Sequence, residues 1–489
     1  MRENKLLRLL AALDRKEMTR FRELAHSPYF NKHKDLRALI AYLSDQYPNF
    51  HTEACTRPAI AAAIFVDEPY DQRKLALVFT YALRLFDLFL SVEQYRQTEG
   101  LHQLLLLQAL RIKKQYVQYE KVLKESEDFW NAQHTTDHTH YDYSYRLAAE
   151  ANNYYNQIER RRTDHSIQLK QNNLDKFYIL EKLKDACEMQ VRRTILNVDY
   201  SARMLESVLR EVGDNAAVYA GEPLILLYYQ IYCMVTQHEN THYFNALQTL
   251  QQHEAGIAKQ ELYYIYNYFQ NYCIQQINKG EEQFLGEIFK LYQAQLSQGL
   301  LVEDGYLSEW HYKNITTTGI RLGEMDWVRQ FIEAYRDRLP PESLDNAYRF
   351  NLASYYYATH QYDQVLNLLT QVEYSDLRYN LGAKALLLRT YYDLDEYETL
   401  CSLTQSFLLY LRRDKLLADF QREGHKNLFK FARQAARIRT LLGFAKTEQI
   451  RQEVNKLRQD INATTTVFNK SWLLEKITEL ENSLDMPIL

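Results

Sequence analysis

Only 13 glycines and 8 prolines punctuate the 489 residues of this chain. Folds built from strands need Gly and Pro at their many tight turns, so this shortage selects helices joined by short connections. Apolar residues recur at helical spacing from end to end, and no stretch reads as alternating strand. The expected class is all-α. Tyrosine is abundant, with 40 copies. Its apolar ring and polar tip suit half-buried helix faces and binding grooves.

Several classes are disfavoured at once. The net charge is −4 and the pI about 6.4, which argues against a globally basic nucleic-acid binder. The five cysteines (Cys55, Cys187, Cys233, Cys273 and Cys401) are far apart and form no C-x-x-C. They read as small buried hydrophobes in a reducing compartment. The charged start has no apolar run after it, and no eighteen-residue window is wholly apolar and uncharged. The expectation is no signal peptide, no membrane span and a cytoplasmic home.

Four segments follow from the pattern. Residues 1–97 read as an N-terminal helical module. Leu6, Leu7, Leu9, Leu10 and Leu13 open a helix, and Asp14 caps a second over 15–24. Ser27-Pro28 reads as a cap and first helical position. Helices follow over 33–46, 57–65 and 71–97. Residues 98–265 carry long irregular helix pairs, with helices near 116–133, 141–161, 172–198 and 224–235. The polar stretch 134–140 reads as a loop. Residues 266–412 are regular, and residues 413–489 form basic capping helices. In the regular part, the turns within successive helix pairs fall at Gly280, Gly323, His360 and Asp395, spaced by 43, 37 and 35 residues. Such a period marks helix-pair repeats too small to bury their own apolar faces.

These copies resemble the tetratricopeptide repeat (TPR) family. Residues 346–379 carry Leu352-Ala353, Tyr356-Tyr357, the turn His360-Gln361-Tyr362, then Val365 and Leu369. The next copy carries Leu387-Leu388, Tyr391-Tyr392, Tyr397, Leu400 and Phe407. The preceding one carries Ile315, Leu322-Gly323, Val328, Ile332, Tyr335 and Pro340, and an earlier one Tyr272-Cys273, Gly280, Leu285, Phe289 and Tyr292. The family's small residue on the second helix is Val or Leu here, and its closing Pro occurs once. The resemblance implies a right-handed α-solenoid and a groove that grips a peptide or helix of another protein. The groove positions are Trp310, Lys313, Thr317, Phe350, Asn351, Ser354, Tyr357, Arg389 and Tyr392. A carboxylate clamp of the kind found in the family matches only at Lys313 and Asn351. Thr317, Gly382 and Leu386 stand at its other positions.

Two further constellations are legible. Residues 412–458 hold thirteen Lys/Arg against five Asp/Glu. Arg422, Lys426, Lys430, Arg433 and Arg437 form one stripe that could meet nucleic-acid phosphates or an acidic protein, while Leu428, Phe431, Ala435 and Ile438 face a core. His238-Glu-Asn-Thr-His242 matches the H-E-x-x-H of zinc hydrolases. It straddles a turn between two apolar runs, with Thr241 reading as the cap of the second. A polar group at His134, Asp137, His138, His140 and Asp142 reads as solvated loop. No phosphate-loop, dinucleotide or hydrolase-elbow motif occurs. The expected function is a non-enzymatic protein–protein scaffold without cofactor or metal. A nucleic-acid-associated factor is the alternative and a zinc hydrolase a remote one.

Overall fold

The computed structural model describes residues 4–66, 69–98, 100–132, 137–158, 165–196, 198–370, 377–413 and 417–485. It is all-α, 79% helical and 1% strand. Its contacts group the chain into two compact units, Met1–Glu181 and Lys182–Leu489. The expected segment 98–265 crosses that boundary.

The first unit opens with α1 (Lys5–Ala11), α2 (Arg15–His26), α3 (Lys34–Asp45), α4 (Arg57–Ile64) and α5 (Gln72–Gln97). Asp14 caps α2 through a reciprocal capping box with Glu17. Ser27 ends α2 instead of starting a helix, and Pro28 lies in the turn that follows. Leu10, Phe21, Leu39, Ile60, Ala82, Phe86 and Phe89 meet in one core. Of the described helices, only α5 is long and apolar enough to cross a membrane. Its Leu75, Val78, Ala82, Phe86 and Phe89 are buried in this core.

A second core in this unit joins α6 (Leu101–Ile112), α7 (Tyr116–Asn131) and α8 (His138–Ile158). Tyr119 stacks on Tyr154 at 4.0 Å and Trp130 on Tyr143 at 4.1 Å. Gly100, at φ +79°, passes so close to Tyr143 that a Cβ would sit 2.3 Å from the ring. Arg111 grips the buried Glu150 carboxylate with two hydrogen bonds, 2.6 and 3.2 Å.

A 31-residue helix, α9 (Ser166–Leu196), contains the unit boundary. The second unit continues with α10 (Leu205–Asp214), α11 (Pro223–Gln237), α12 (Asn240–His253), α13 (Lys259–Asn278), α14 (Gln283–Ser297), α15 (Glu309–Leu322), α16 (Met325–Ala334), α17 (Leu344–Ala358), α18 (Tyr362–Leu369), α19 (Leu377–Asp393), α20 (Tyr397–Arg413), α21 (Asp419–Thr440), α22 (Thr447–Ala463) and α23 (Lys470–Asp485). Consecutive helices pack in pairs: α11 with α12, α13 with α14, and so on to α21 with α22. First helices also meet across pairs, α15 with α17, α17 with α19, and α19 with α21. The second-helix residues Val328, Ile332, Val365, Leu369 and Leu400 are fully buried between these layers.

One strand pair departs from the all-helical expectation. Val302–Glu303 pairs antiparallel with Tyr306–Leu307. Asp304 and Gly305 between them both have positive φ, as a two-residue hairpin turn requires. The Asp-Gly dipeptide was its sequence signal.

Candidate partner-binding face

The turns fix the register of this face. Gly280, Gly323, His360 and Asp395 all adopt the left-handed conformation, with φ of 95°, 79°, 59° and 62°. At each, the next amide returns to the carbonyl five residues back: Glu281 to Gln276, Glu324 to Gly319, Gln361 to Tyr356 and Glu396 to Tyr391. This hydrogen-bond pattern closes a helix C-terminus. Lys114-Gln115 does the same between α6 and α7. His238, at φ 58°, is a further copy of the turn, 42 residues before Gly280. In all six copies the left-handed residue is followed by Glu or Gln.

That register accounts for the zinc-like motif. His238-Glu239 is the turn dipeptide of a helix pair, equivalent to Gly280-Glu281 and Gly323-Glu324. His238 lies past the end of α11 while His242 sits on α12, so the two do not share a helix. Glu239, not Thr241, is the residue before α12. Among the described residues, no cluster of three His, Cys, Asp or Glu is placed to hold a metal. Of the polar group near 134–140, His134 lies outside the described residues, and His138 and His140 belong to the first turn of α8.

The expected groove residues divide by burial. Trp310 is 49% exposed and lines a small hollow with Glu309, Lys313 and Tyr379. Thr317 is exposed, and Ser354 is half-buried with its hydroxyl donated to the Phe350 carbonyl at 2.9 Å. Phe350 and Asn351 are not surface groups. Phe350 packs edge-on to Tyr379 and fills the space that Gly382 leaves, where a Cβ would come within 2.9 Å of its ring. Lys313 Nζ lies 5.5 Å over the same ring. Asn351 is 1% exposed and donates to Ala347 O at 2.8 Å, while its Oδ1 is buried without a partner. Phe350 packs α17 against α19, and Asn351 is bonded back to its own helix.

The remaining three, Tyr357, Arg389 and Tyr392, lie under the chain's own α23. Trp472 meets Tyr392 edge-on at 5.4 Å. The Arg389 guanidinium is sandwiched between the Tyr357 ring at 4.1 Å and the Trp472 ring at 5.7 Å. Tyr357 donates its hydroxyl to Asp393, whose carboxylate also takes Lys476 Nζ at 3.0 Å. Lys476 reaches Glu479 as well, at 2.8 Å. Burial pushes the Tyr357 hydroxyl pKa up, partly offset by Arg389, and burial lifts that of Tyr392 to about 12. Both phenols therefore stay protonated: Tyr357 donates to Asp393, and Tyr392 accepts from Arg439. The buried Lys476 is held charged by its hydrogen bonds to Glu479 and Asp393, which outweigh its desolvation. Trp472, Leu473, Ile477 and Leu480 of α23 are buried in one core with Tyr392 on α19 and Phe407 on α20. Those partners lie far away in the chain.

The basic stripe lies on α21. Leu428, Phe431, Ala435 and Ile438 face the core as expected. Arg422 turns inward and donates to the carbonyls of Leu411 and Leu417, tying α20 to α21. Lys426 pairs with Glu423 at 3.1 Å and Arg437 with Glu453 at 3.0 Å. Lys430 and Arg433 are exposed and make no ion pair among the described residues.

An open cleft lies upstream, between α9, α11 and α13. It encloses about 470 Å³ and is lined by Gln190, Thr236, His238, Asn271, Gln275 and Asn278, with Tyr268, Tyr272 and Lys279 at its walls. Sequence reading passed over it because amides carry no catalytic signature. The signal was present in register: Asn271, Asn314 and Asn351 each stand nine residues before the left-handed turn residue of their pair. Together, fold and face define a chain of stacked helix pairs with a polar first-helix surface. Compared with protein-family models, with curated proteins and with solved structures, the chain matches none.

Proposed function

We propose that this chain is a non-catalytic protein–protein interaction scaffold of the cytoplasm. It is a TPR-like right-handed α-solenoid over 266–412 with a basic C-terminal helical cap, and its first-helix face holds a peptide or helical segment of a partner. One observation carries the reading. The C-terminal end of that face already accepts a helix, α23, through an aromatic anchor at Trp472 and an ion pair at Lys476. Amphipathic helices dock into grooves by the same combination of anchor and charge. The open half of the face, around Trp310 and Thr317, is where a partner segment binds. Phe350 and Tyr357 are unsuitable probes, because both are integral to packing. The test is a Trp310→Ala, Thr317→Glu double variant in affinity purification from the native cell, with and without nuclease. Partner recovery falls while the helical signal stays at the wild-type level. Undiminished recovery sinks the assignment.

A second reading rests on Lys430 and Arg433, the two unpaired cations of the α21 stripe. They would contact phosphates, with binding that weakens as salt rises. Lys430→Glu with Arg433→Glu abolishes retention on nucleic acid at low salt if this reading holds. Absence of wild-type retention removes it.

A further inference from the structure

We infer that the turn between α2 and α3 is a membrane-docking tip: it wedges Tyr29 and Phe30 into the headgroup region of an anionic phospholipid bilayer, while Lys32 and Lys34 meet the lipid phosphates. This goes beyond the scaffold reading and does not depend on it. Tyr29 is 88% exposed and Phe30 41%, and their rings touch edge-on at 5.1 Å. Aromatic side chains dominate the energetics of burial, so two of them projecting from one tip mark a contact surface. The tip is not loose. The amides of Phe30 and Asn31 return to Ser27 O at 3.1 and 2.9 Å. Asn31 is buried, donates to Ala25 O at 2.7 Å and accepts from the His33 amide at 2.9 Å. The His33 ring packs on Tyr81 of α5 at 5.3 Å. The two rings are thus fixed outward before any ligand arrives, and little order remains to be lost on binding. Leu77, one helical turn before Tyr81, is half exposed and continues the apolar surface along α5.

Charge and shape select the occupant. Lys32 and Lys34 are exposed, and among the described residues neither makes an ion pair or a side-chain hydrogen bond. Both stand at the start of α3, the positive end of its dipole, where acidic groups are favoured. Asp35 is the one acidic residue of that first turn. The two lysines therefore weaken the helix end they occupy, and their charge is matched by an anion outside the chain. The tip is convex. A protein would need a hollow shaped to it, whereas a fluid bilayer yields to a wedge. Tyrosine settles at headgroup level with its hydroxyl in water, and cations beside it meet the negative surface of anionic lipid. Two cations are few for gripping a nucleic acid through counterion release. At an anionic bilayer each adds about fivefold, and the aromatic wedge supplies the rest.

The test is cosedimentation of the full chain with two kinds of vesicle: phosphatidylcholine alone, and phosphatidylcholine with roughly one-third phosphatidylserine. Wild type sediments with the anionic vesicles, less so in high salt, and stays in solution with phosphatidylcholine alone. Tyr29→Ser with Phe30→Ser lowers the partition coefficient about tenfold or more. Lys32→Glu with Lys34→Glu lowers it by a similar factor. Tyr29→Trp, a better interfacial anchor, binds at least as well as wild type. Tyr29→Ser alone guards against a folding artefact: its ring lies almost wholly in solvent, so the thermal melt stays at the wild-type value while part of the binding is lost. Absence of wild-type sedimentation, or sedimentation undiminished in the aromatic variants, overturns the proposal. Loss confined to Lys430→Glu with Arg433→Glu assigns vesicle binding to α21 and overturns it as well. Retention of a protein partner or of a single-stranded oligonucleotide that the tip variants abolish, with no vesicle binding, gives the tip to that partner instead of the membrane.

Discussion

Gly319 sets the closest approach in the repeat stack and gives the sharpest test of the packing. It sits in α15, buried, with ordinary helical backbone. A Cβ there would lie 2.5 Å from Val328 Cγ2 on α16 and 3.3 Å from the Phe289 ring on α14. Two effects compete in Gly319→Ala. Helix propensity favours Ala by about 1 kcal/mol. Overpacking a close-packed site costs about 1–3 kcal/mol. Carbon atoms prefer roughly 3.5–4.0 Å, so the methyl intrudes by about 1 Å. Val328 is fully buried and β-branched, so it cannot rotate away cheaply. The clash therefore wins, and the net loss is about 1–2 kcal/mol. At roughly 2–4 °C per kcal/mol, the Tm drops by several degrees. Val328→Ala alone costs about 2–3 kcal/mol through lost methyls and a cavity. In the double variant the new methyl occupies that cavity, so the combined loss is smaller than the sum by about 1–2 kcal/mol. Thermal melts of the four proteins by far-UV circular dichroism measure this coupling. A rise in Tm for Gly319→Ala, or additivity within about 0.5 kcal/mol, refutes the contact.

Three other outcomes follow from the structure. Lys476→Met leaves the Asp393 carboxylate buried without its cation and destabilises by about 3–5 kcal/mol, whereas adding Asp393→Asn restores much of the loss; differential scanning fluorimetry reads both. Lys114→Gly relieves an exposed left-handed residue and stabilises by about 0.5 kcal/mol in urea melts, while Asp395→Gly does not, because Asp395 also holds Arg439 at 2.8 Å. Burial lowers the pKa of His311, and burial together with nearby Lys313 lowers that of His425, partly offset by the Gln421 carbonyl. The unfolded chain then binds more protons, so the stability these neutral rings contribute is present above the ordinary histidine pKa and is lost as pH falls below it toward their depressed folded values. Urea midpoints at pH 7.5 and 5.5 show the drop, and His311→Gln with His425→Gln flattens it.

Helix positions and the turns were legible because both are local. The cap at Asp14, the approximate bounds of α3 to α5 and the four turn residues followed from spacing and side-chain chemistry alone. The hairpin at Asp304-Gly305 was missed because two strand residues on each side are too few to show alternation. The groove was legible only in part. Phe350, Asn351 and Tyr392 have the residue types and register of a binding face, yet Gly382 and α23 cover them. Which surface is covered depends on contacts between Trp472 and Tyr392, 80 residues apart, and helical periodicity carries no information at that range. The asparagine register at Asn271, Asn314 and Asn351 was visible in principle. Its rulers, Gly280, Gly323 and His360, were legible as turns, but a lone asparagine nine residues before each carries no signature of its own.

The cover formed by α23 also has a timetable. Trp472 leaves the ribosome 80 residues after Tyr392. At about 5–20 residues per second, the Tyr357–Arg389–Tyr392 surface stays bare for roughly 4–16 s in every newly made molecule. During that interval the nascent chain offers an aromatic surface with an uncompensated Asp393, and helper proteins that shield exposed apolar surface would meet it there. Shortening the chain before Trp472 would make that brief state permanent.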